Sequence, residues 1–489
     1  MAEHSASGQQ PVSPGAGDTG ALVIRGGTLY TATDSARADI LVRGETIHQI
    51  AARIDPPPGA RIVEADGLEI FPGGIDAHTH FDLPFMGTTT ADDFESGTAA
   101  AACGGTTTII DFAIPAKGGS LLDGLAAWEK KADGKCAVDY AFHMCLVDFN
   151  EAIAAEIPEV VRRGITSFKC FMAYKGTFMI DDAQLIEAMK TAAGNRALVS
   201  VHAENGDMLA YLMKHLAAEG KTEPRYHPVA HPAEAEGEAV HRAVVLARMA
   251  GSALYIVHMS TVLALEEVRA ARTRGEPVLA ETCPQYLLLS DELYLKEGFE
   301  GAKWVMSPPL RSRDNHDKLW LGLRDGTIQC VATDHCSFNF KGQKEMGLGS
   351  FTTIPNGIPA VEDRVILLYS HGVARGRISR NRFVDLIATQ PAKIFGLYPE
   401  KGTIAVGSDA DFVLIDPRRQ GKVTKEKQHM RADYSAFEGI ELRGGVDTVI
   451  SRGRVVFRQG AYTGEKGRGR YLARKPFVAG EWGRHEERS

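Results

Sequence analysis

The sequence predicts an α/β protein, a (β/α)₈ barrel with a small β-sandwich-like domain assembled from both chain ends. Three observations point there: strand-turn-strand texture at both ends, eight short apolar runs alternating with helix-like stretches between them, and metal-binding residue types where several of those runs stop. Residues 1–20 form a polar stretch without the apolar core of a signal peptide and read as a disordered tail. ALVIRGGTLYTATD and ADILVRGETIHQIAA then alternate like antiparallel strands joined at glycine turns, and GTIAVGSDADFVLIDP and GGVDTVISRGRVVFRQG repeat that texture after residue 400. The segments 21–70 and 400–475 are therefore assigned to one β domain, 71–399 to a barrel inserted between them, and 476–489 to a C-terminal extension.

The barrel strands are expected at 68–76, 106–112, 137–146, 166–171, 197–202, 254–258, 277–282 and 328–334, with helices at 182–193, 234–249 and 262–274 among those between. Eight strands and their helices over some 300 residues fit a closed barrel better than an open sheet. A chain of 489 residues with 55 Lys+Arg and 62 Asp+Glu carries a formal charge of −7, which gives no electrostatic reason to bind nucleic acid or an anionic membrane. No stretch approaches the roughly 18 apolar residues of a membrane span. The seven cysteines show no CxxC spacing and fit a reducing, cytoplasmic setting.

Functional groups of such barrels sit at the C-terminal ends of strands. The first run leads to His78 and His80, the fourth carries Lys169, and the fifth, sixth and eighth end at His202, His258 and Asp334. Any one of the histidines alone reads as a hydrogen-bonded core or loop residue. Together they converge on one face and form a set suited to divalent metal. Lys169 lies between Phe168 and Cys170 in an apolar run, where an unpaired ammonium is costly. It is either a snorkelling or ion-paired lysine, or a neutral amine that adds carbon dioxide to become a carbamate. A carbamate and Asp334 would supply the negative charge that four neutral imidazoles cannot give two metal ions.

The motifs HTH, SFKCFMAYKG, VHAENGD, YIVHMS, MSPPLR, TDHCSF and IPNG, in that order, resemble the dihydropyrimidinase and D-hydantoinase branch of the amidohydrolase superfamily. The resemblance runs from about residue 21 to about residue 474, and LPFMG and DFAIPAKGGSL look closer to dihydropyrimidinase. It implies two divalent ions, usually zinc. His78 and His80 would bind the more buried ion with Asp334, and His202 and His258 the more exposed one. Carboxylated Lys169 would bridge the two. The resemblance also implies that Tyr174 polarises a carbonyl oxygen and that main-chain groups of Ser307 and Asn356 bind a ring amide. No ligand position departs from the pattern, which argues against a non-catalytic scaffold. The implied reaction is hydrolytic opening of dihydrouracil, dihydrothymine or hydantoins, with hydantoinase proper, allantoinase and a broad cyclic imidase as neighbouring readings.

Leu83, Phe85, Met86 and Phe178 either meet the ring substituent or pack loops. Phe81 and Asp82 stand where a dihydroorotase would carry an arginine after HxH, although Arg311 lies near a substrate segment. His143 reads as a satisfied barrel histidine and Cys336 as core or loop packing. Gly104–Gly105 and Gly407–Asp409 read as turns, and His227 and His231 as loop residues. Relatives imply a homotetramer, with YLARKPFVAGEW lying against a neighbouring subunit.

Overall fold

The computed structural model describes residues 20–482; the expected tail, apart from Gly20, and residues 483–489 of the expected extension lie outside the described residues. Eight parallel strands form the barrel: β1 (Gly74–Thr79), β2 (Thr106–Ala113), β3 (Asp139–Leu146), β4 (Ser167–Phe171), β5 (Leu198–His202), β6 (Leu254–Ile256), β7 (Val278–Thr282) and β8 (Cys330–Val331). They pair in sequence order, and helices such as Asp182–Gly194, Ala233–Ala250 and Val262–Thr273 lie between successive strands, as the periodicity predicts. The eighth run contributes only two residues of regular strand. The ring is closed beyond it by a parallel bridge between Thr79 and His335 and by Thr333, whose N–H and hydroxyl donate to Asp76 at 3.1 and 2.7 Å.

A separate nine-stranded sheet is built from both ends of the chain. Its seam pairs Glu69–Pro72 antiparallel with Phe412–Lys422, placing Ile70 opposite Leu414. The expected first barrel strand at 68–76 is in fact two strands in two sheets. The crossing falls at Gly73, whose N–H donates to Asp411 while that of Gly74 donates to Gly105. A Cβ on Gly73 would sit 2.2 Å from the Thr107 hydroxyl, so only glycine lets the two sheets meet there.

The N-terminal end of the barrel is plugged. Ile394, Phe395 and Leu397 pack with Ile75, Ile110, Leu198, Tyr255 and Leu279 from the strands, and Phe477 joins them. Phe477 belongs to the segment expected to lie against a neighbouring subunit. That segment crosses beneath its own barrel: Leu472 N–H donates to Tyr140 O, Arg474 N–H to Gly164 O and Phe477 N–H to Arg196 O. The apolar side chains Leu472 and Phe477 fill the plug.

Candidate active site

The side chains singled out in the sequence meet at the C-terminal end of the barrel. His78, His80, Lys169, His202, His258, Asp334, Tyr174, Ser307, Asn356, Leu83, Phe85 and Phe178 all line one cleft. Met86 lies in an adjoining cavity of about 370 Å³, mostly apolar, that shares Phe85, Tyr174 and Phe178 with the cleft. Phe85 and Phe178 stack with centroids 5.9 Å apart, and Tyr174 stands edge-on to both.

β1 ends in the pair that starts the site. Nε2 of His78 and Nε2 of His80 each lie 3.2 Å from Oδ1 of Asp334. The rings of His78 and His258 are 5.3 Å apart, and those of His258 and His202 4.6 Å apart, so the four imidazoles form one continuous group. Tyr174, His258 and Asp334 have left-handed backbones with φ of 62°, 38° and 52°. Such residues cost on the order of 1–3 kcal/mol each and persist where the surroundings over-determine them.

The electrostatics favour neutral imidazoles and an ionised carboxylate. Burial brings His80 down to about 4 and also lowers His202 and His258. Burial lowers His78 too, but Asp334 and Glu281 outweigh it, and its pKa is raised. Asp334 is buried, which raises a carboxyl, yet the flanking histidines hold it well below the usual range. Lys169 is brought by burial down to about 8, against the opposing pull of Asp334 and Glu281. Among the described residues no carboxylate lies in ion-pair range of its Nζ, which instead sits 5.0 Å over the Phe112 ring. The ion-paired reading of Lys169 is thereby removed.

The donor set fits metal. His78 Nε2, His80 Nδ1 and His258 Nδ1 are buried without a hydrogen-bond partner, an arrangement that costs energy unless something else is coordinated. His78, His80 and Asp334 could together hold one ion. A second trio, Cys103, Glu362 and His429, comes within similar range, but His429 already donates its ring and backbone N–H to Glu362 at 2.7 and 2.6 Å.

Several functional groups carried no sequence signal. Glu281 of β7 hydrogen-bonds His78 Nδ1 and accepts from the Tyr255 hydroxyl at 2.8 Å. Glu204 joins His202 Nε2 at 2.8 Å to His231 Nδ1 at 3.0 Å. These carboxylates fix which imidazole nitrogen faces the cleft. His231, read as a loop residue, is therefore part of the site's support, and His227 pairs with Met306 O at 2.7 Å. Cys336 is buried as expected and also lines the cleft. His143 is satisfied by Ser167 and Ala77 at 2.5 and 3.0 Å, as read from the sequence. Arg311 pairs with Glu236 at 3.2 Å and donates to Ser260 at 3.0 Å, which leaves it committed inside the protein rather than facing a substrate carboxylate.

A barrel with this constellation at its C-terminal mouth has the form of a metal-dependent hydrolase. Residues 70–456 match the model of the amidohydrolase family, and the chain belongs to that family. It is 48% identical to a D-hydantoinase of Geobacillus stearothermophilus over 94% of this chain and 97% of that protein. The structure of dihydropyrimidinase from Brevibacillus agri is 49% identical and superposes with a TM-score of 0.93 over 94% of this chain and 99% of that one. L-hydantoinase (dihydropyrimidinase) from Arthrobacter aurescens is 30% identical, with a TM-score of 0.85 over 93% and 99% of the two chains. Identities to proteins of the two names are thus alike.

Proposed function

We propose that the protein opens the ring of cyclic amides, 5,6-dihydropyrimidines and hydantoins, by metal-assisted hydrolysis. The observation that carries this reading is the convergence of His78, His80, His202, His258 and Asp334 around Lys169, with three imidazole nitrogens buried and unpartnered. His78, His80 and Asp334 would hold one divalent ion, His202 and His258 a second, and carboxylated Lys169 would join them. Zinc suits the nitrogen-rich donor set. Two such ions would supply an activated water and Lewis acidity at the scissile carbonyl.

The chain's own groups do the rest. A lysine brought down to about 8 is in part free amine near neutral pH, so its nitrogen can bond the carbon of carbon dioxide and release a proton. Asp334, held ionised, accepts the proton of the attacking water and returns it to the leaving ring nitrogen. Burial raises the Tyr174 phenol, which keeps it a hydrogen-bond donor to the developing oxyanion. Main-chain groups of Ser307 and Asn356 orient the ring amide; Asn356 Nδ2 donates to Ser307 Oγ at 3.0 Å, which aligns the two segments. Dihydrouracil would give N-carbamoyl-β-alanine and a hydantoin an N-carbamoyl amino acid. Leu83, Phe85, Met86 and Phe178 would receive the ring substituent.

The protein acts on small molecules, and no helix among the described residues is long and apolar enough to cross a membrane. Seven free, buried cysteines support a cytoplasmic setting, and the resemblance supports a homotetramer. The division into 21–70 with 400–475 around 71–399 is supported by the two separate sheets. Ring opening of dihydrouracil and hydantoin, measured side by side on zinc-loaded protein with a chelator control, tests the reading. Chelator-sensitive turnover of either ring is expected; absence of both with two metals bound would contradict it.

A further inference from the structure

We propose that Lys344 is a positioning residue, an ammonium clip that holds the Ser307 and Asn356 segments at their working separation. This rests on the reading that those segments bind the ring amide. The Lys344 side chain is fully buried, and its Nζ donates to the carbonyl oxygens of Val305, Pro355 and Gly357, each at 2.7 Å. Three acceptors use all three hydrogens of an ammonium, whereas a neutral amine has only two. Burial pulls this lysine down, but three carbonyl acceptors at 2.7 Å are matched only by the three hydrogens of the charged form and so favour it. Among the described residues no carboxylate lies in ion-pair range of it.

The three carbonyls define the role. Val305 lies two residues before Ser307, and Pro355 and Gly357 flank Asn356 on either side. The segments are joined directly by Gly357 N–H donating to Val305 O at 3.0 Å, and Lys344 binds that same carbonyl from behind. Pro355 C=O and Asn356 N–H are the two ends of one peptide unit. A charged donor on the oxygen polarises that unit and strengthens its N–H as a donor towards substrate. The neighbouring residue works the opposite wall: Gln343 Nε2 donates to Thr88 Oγ1 and Thr89 O at 2.8 and 2.7 Å, bracing the hairpin that carries Phe85. One short segment thus fixes the polar wall and the apolar wall of the cleft together.

The test is steady-state kinetics of Lys344→Met, which keeps length and burial but has no donor, on the zinc-loaded full-length protein with the ring that wild type opens. KM should rise about tenfold or more with kcat within about threefold, the pattern of lost ground-state binding, while two zinc ions per chain are retained. Lys344→Gln, with two donors on a shorter arm, should give a smaller rise. An unchanged KM, a loss confined to kcat, or failure of both variants to fold would overturn the proposal, the last by placing the ammonium in the fold and not in the substrate wall. Wild-type rates come first: no ring opening there contradicts the reaction itself, whereas normal wild-type rates with an unchanged variant KM contradict only the role of Lys344.

Discussion

Lys169 and Lys401 are both buried, the first inside the barrel and the second where the barrel meets the terminal sheet, and their surroundings differ in charge. Lys401, at the N-terminal end, meets Asp139 at 2.5 Å, Asp411 at 2.7 Å and Asp409 at 2.9 Å. Arg452 Nε donates to Asp139 at 3.0 Å in the same group. Burial lowers the Lys401 pKa, but the three carboxylates more than reverse it, and the group ties the start of β3 to the terminal sheet. Lys169, in the middle of β4, has no carboxylate in ion-pair range among the described residues and is pulled down by burial. A fold tolerates the first because each buried charge there has an opposite charge in contact. Keeping the second works against stability, as is expected of a functional site and not of a structural one.

Exchanging either lysine should separate the two regions. Lys169→Ala should lower ring opening by about a thousandfold or more, because several kcal/mol of charge stabilisation is lost with the metals. Zinc analysis and circular dichroism should report fewer ions in an intact fold. Lys401→Met should do the reverse, costing about 3–5 kcal/mol in denaturant titration by leaving buried carboxylates unmatched. The kcat of the molecules that remain folded should be unchanged; a variant that loses rate but not stability would break the contrast.

The pH dependence of the metal-free protein sharpens it. Lys169 has a folded pKa of about 8 against 10.5 for the free side chain, so the folded chain binds fewer protons than the unfolded one between those values. Its contribution to stability therefore rises with pH across that window. Lys401 is raised above 10.5, so its stabilisation is complete below that value and is lost only as pH climbs beyond it towards the folded pKa. Metal-free Lys169→Met should accordingly exceed metal-free wild type by roughly 3 kcal/mol near neutral pH, with the gap closing in alkali. A gap that does not move with pH would mean Lys169 is not the titrating group.

Smaller effects are expected around the site. Glu281→Gln should weaken zinc binding about 10–100-fold by releasing the ring of His78, seen by competition with a chromophoric chelator. Phe178→Ala should cost about tenfold in kcat/KM on an aromatic-substituted hydantoin and little on unsubstituted hydantoin. Equal losses on both would make Phe178 a packing residue.

Much of this was legible in the sequence, for a physical reason. Parallel barrel strands are short and apolar throughout, so a His or Asp at the end of each run stands out, and barrel geometry gathers strand ends on one face. Glu281 was hidden because it sits inside β7, beside Thr282, where a buried acid looks like an ordinary polar strand residue until its partner His78, distant in sequence, is known. Lys344 was hidden by the same distance, since its acceptors are main-chain carbonyls and leave no trace in residue type. The split at Gly73 and the strap 469–477 depend on which sheet or surface the chain meets next, and local pattern carries no record of that.

The claim at the centre of the contrast is that Lys169 works as a carboxylated amine. Protein folded with zinc and ¹³C-bicarbonate, then observed by ¹³C NMR, tests it directly. One labelled carbamate carbon per chain, absent from Lys169→Ala and lost when zinc is stripped, is the predicted result. An active protein with two zinc ions and no label would contradict it.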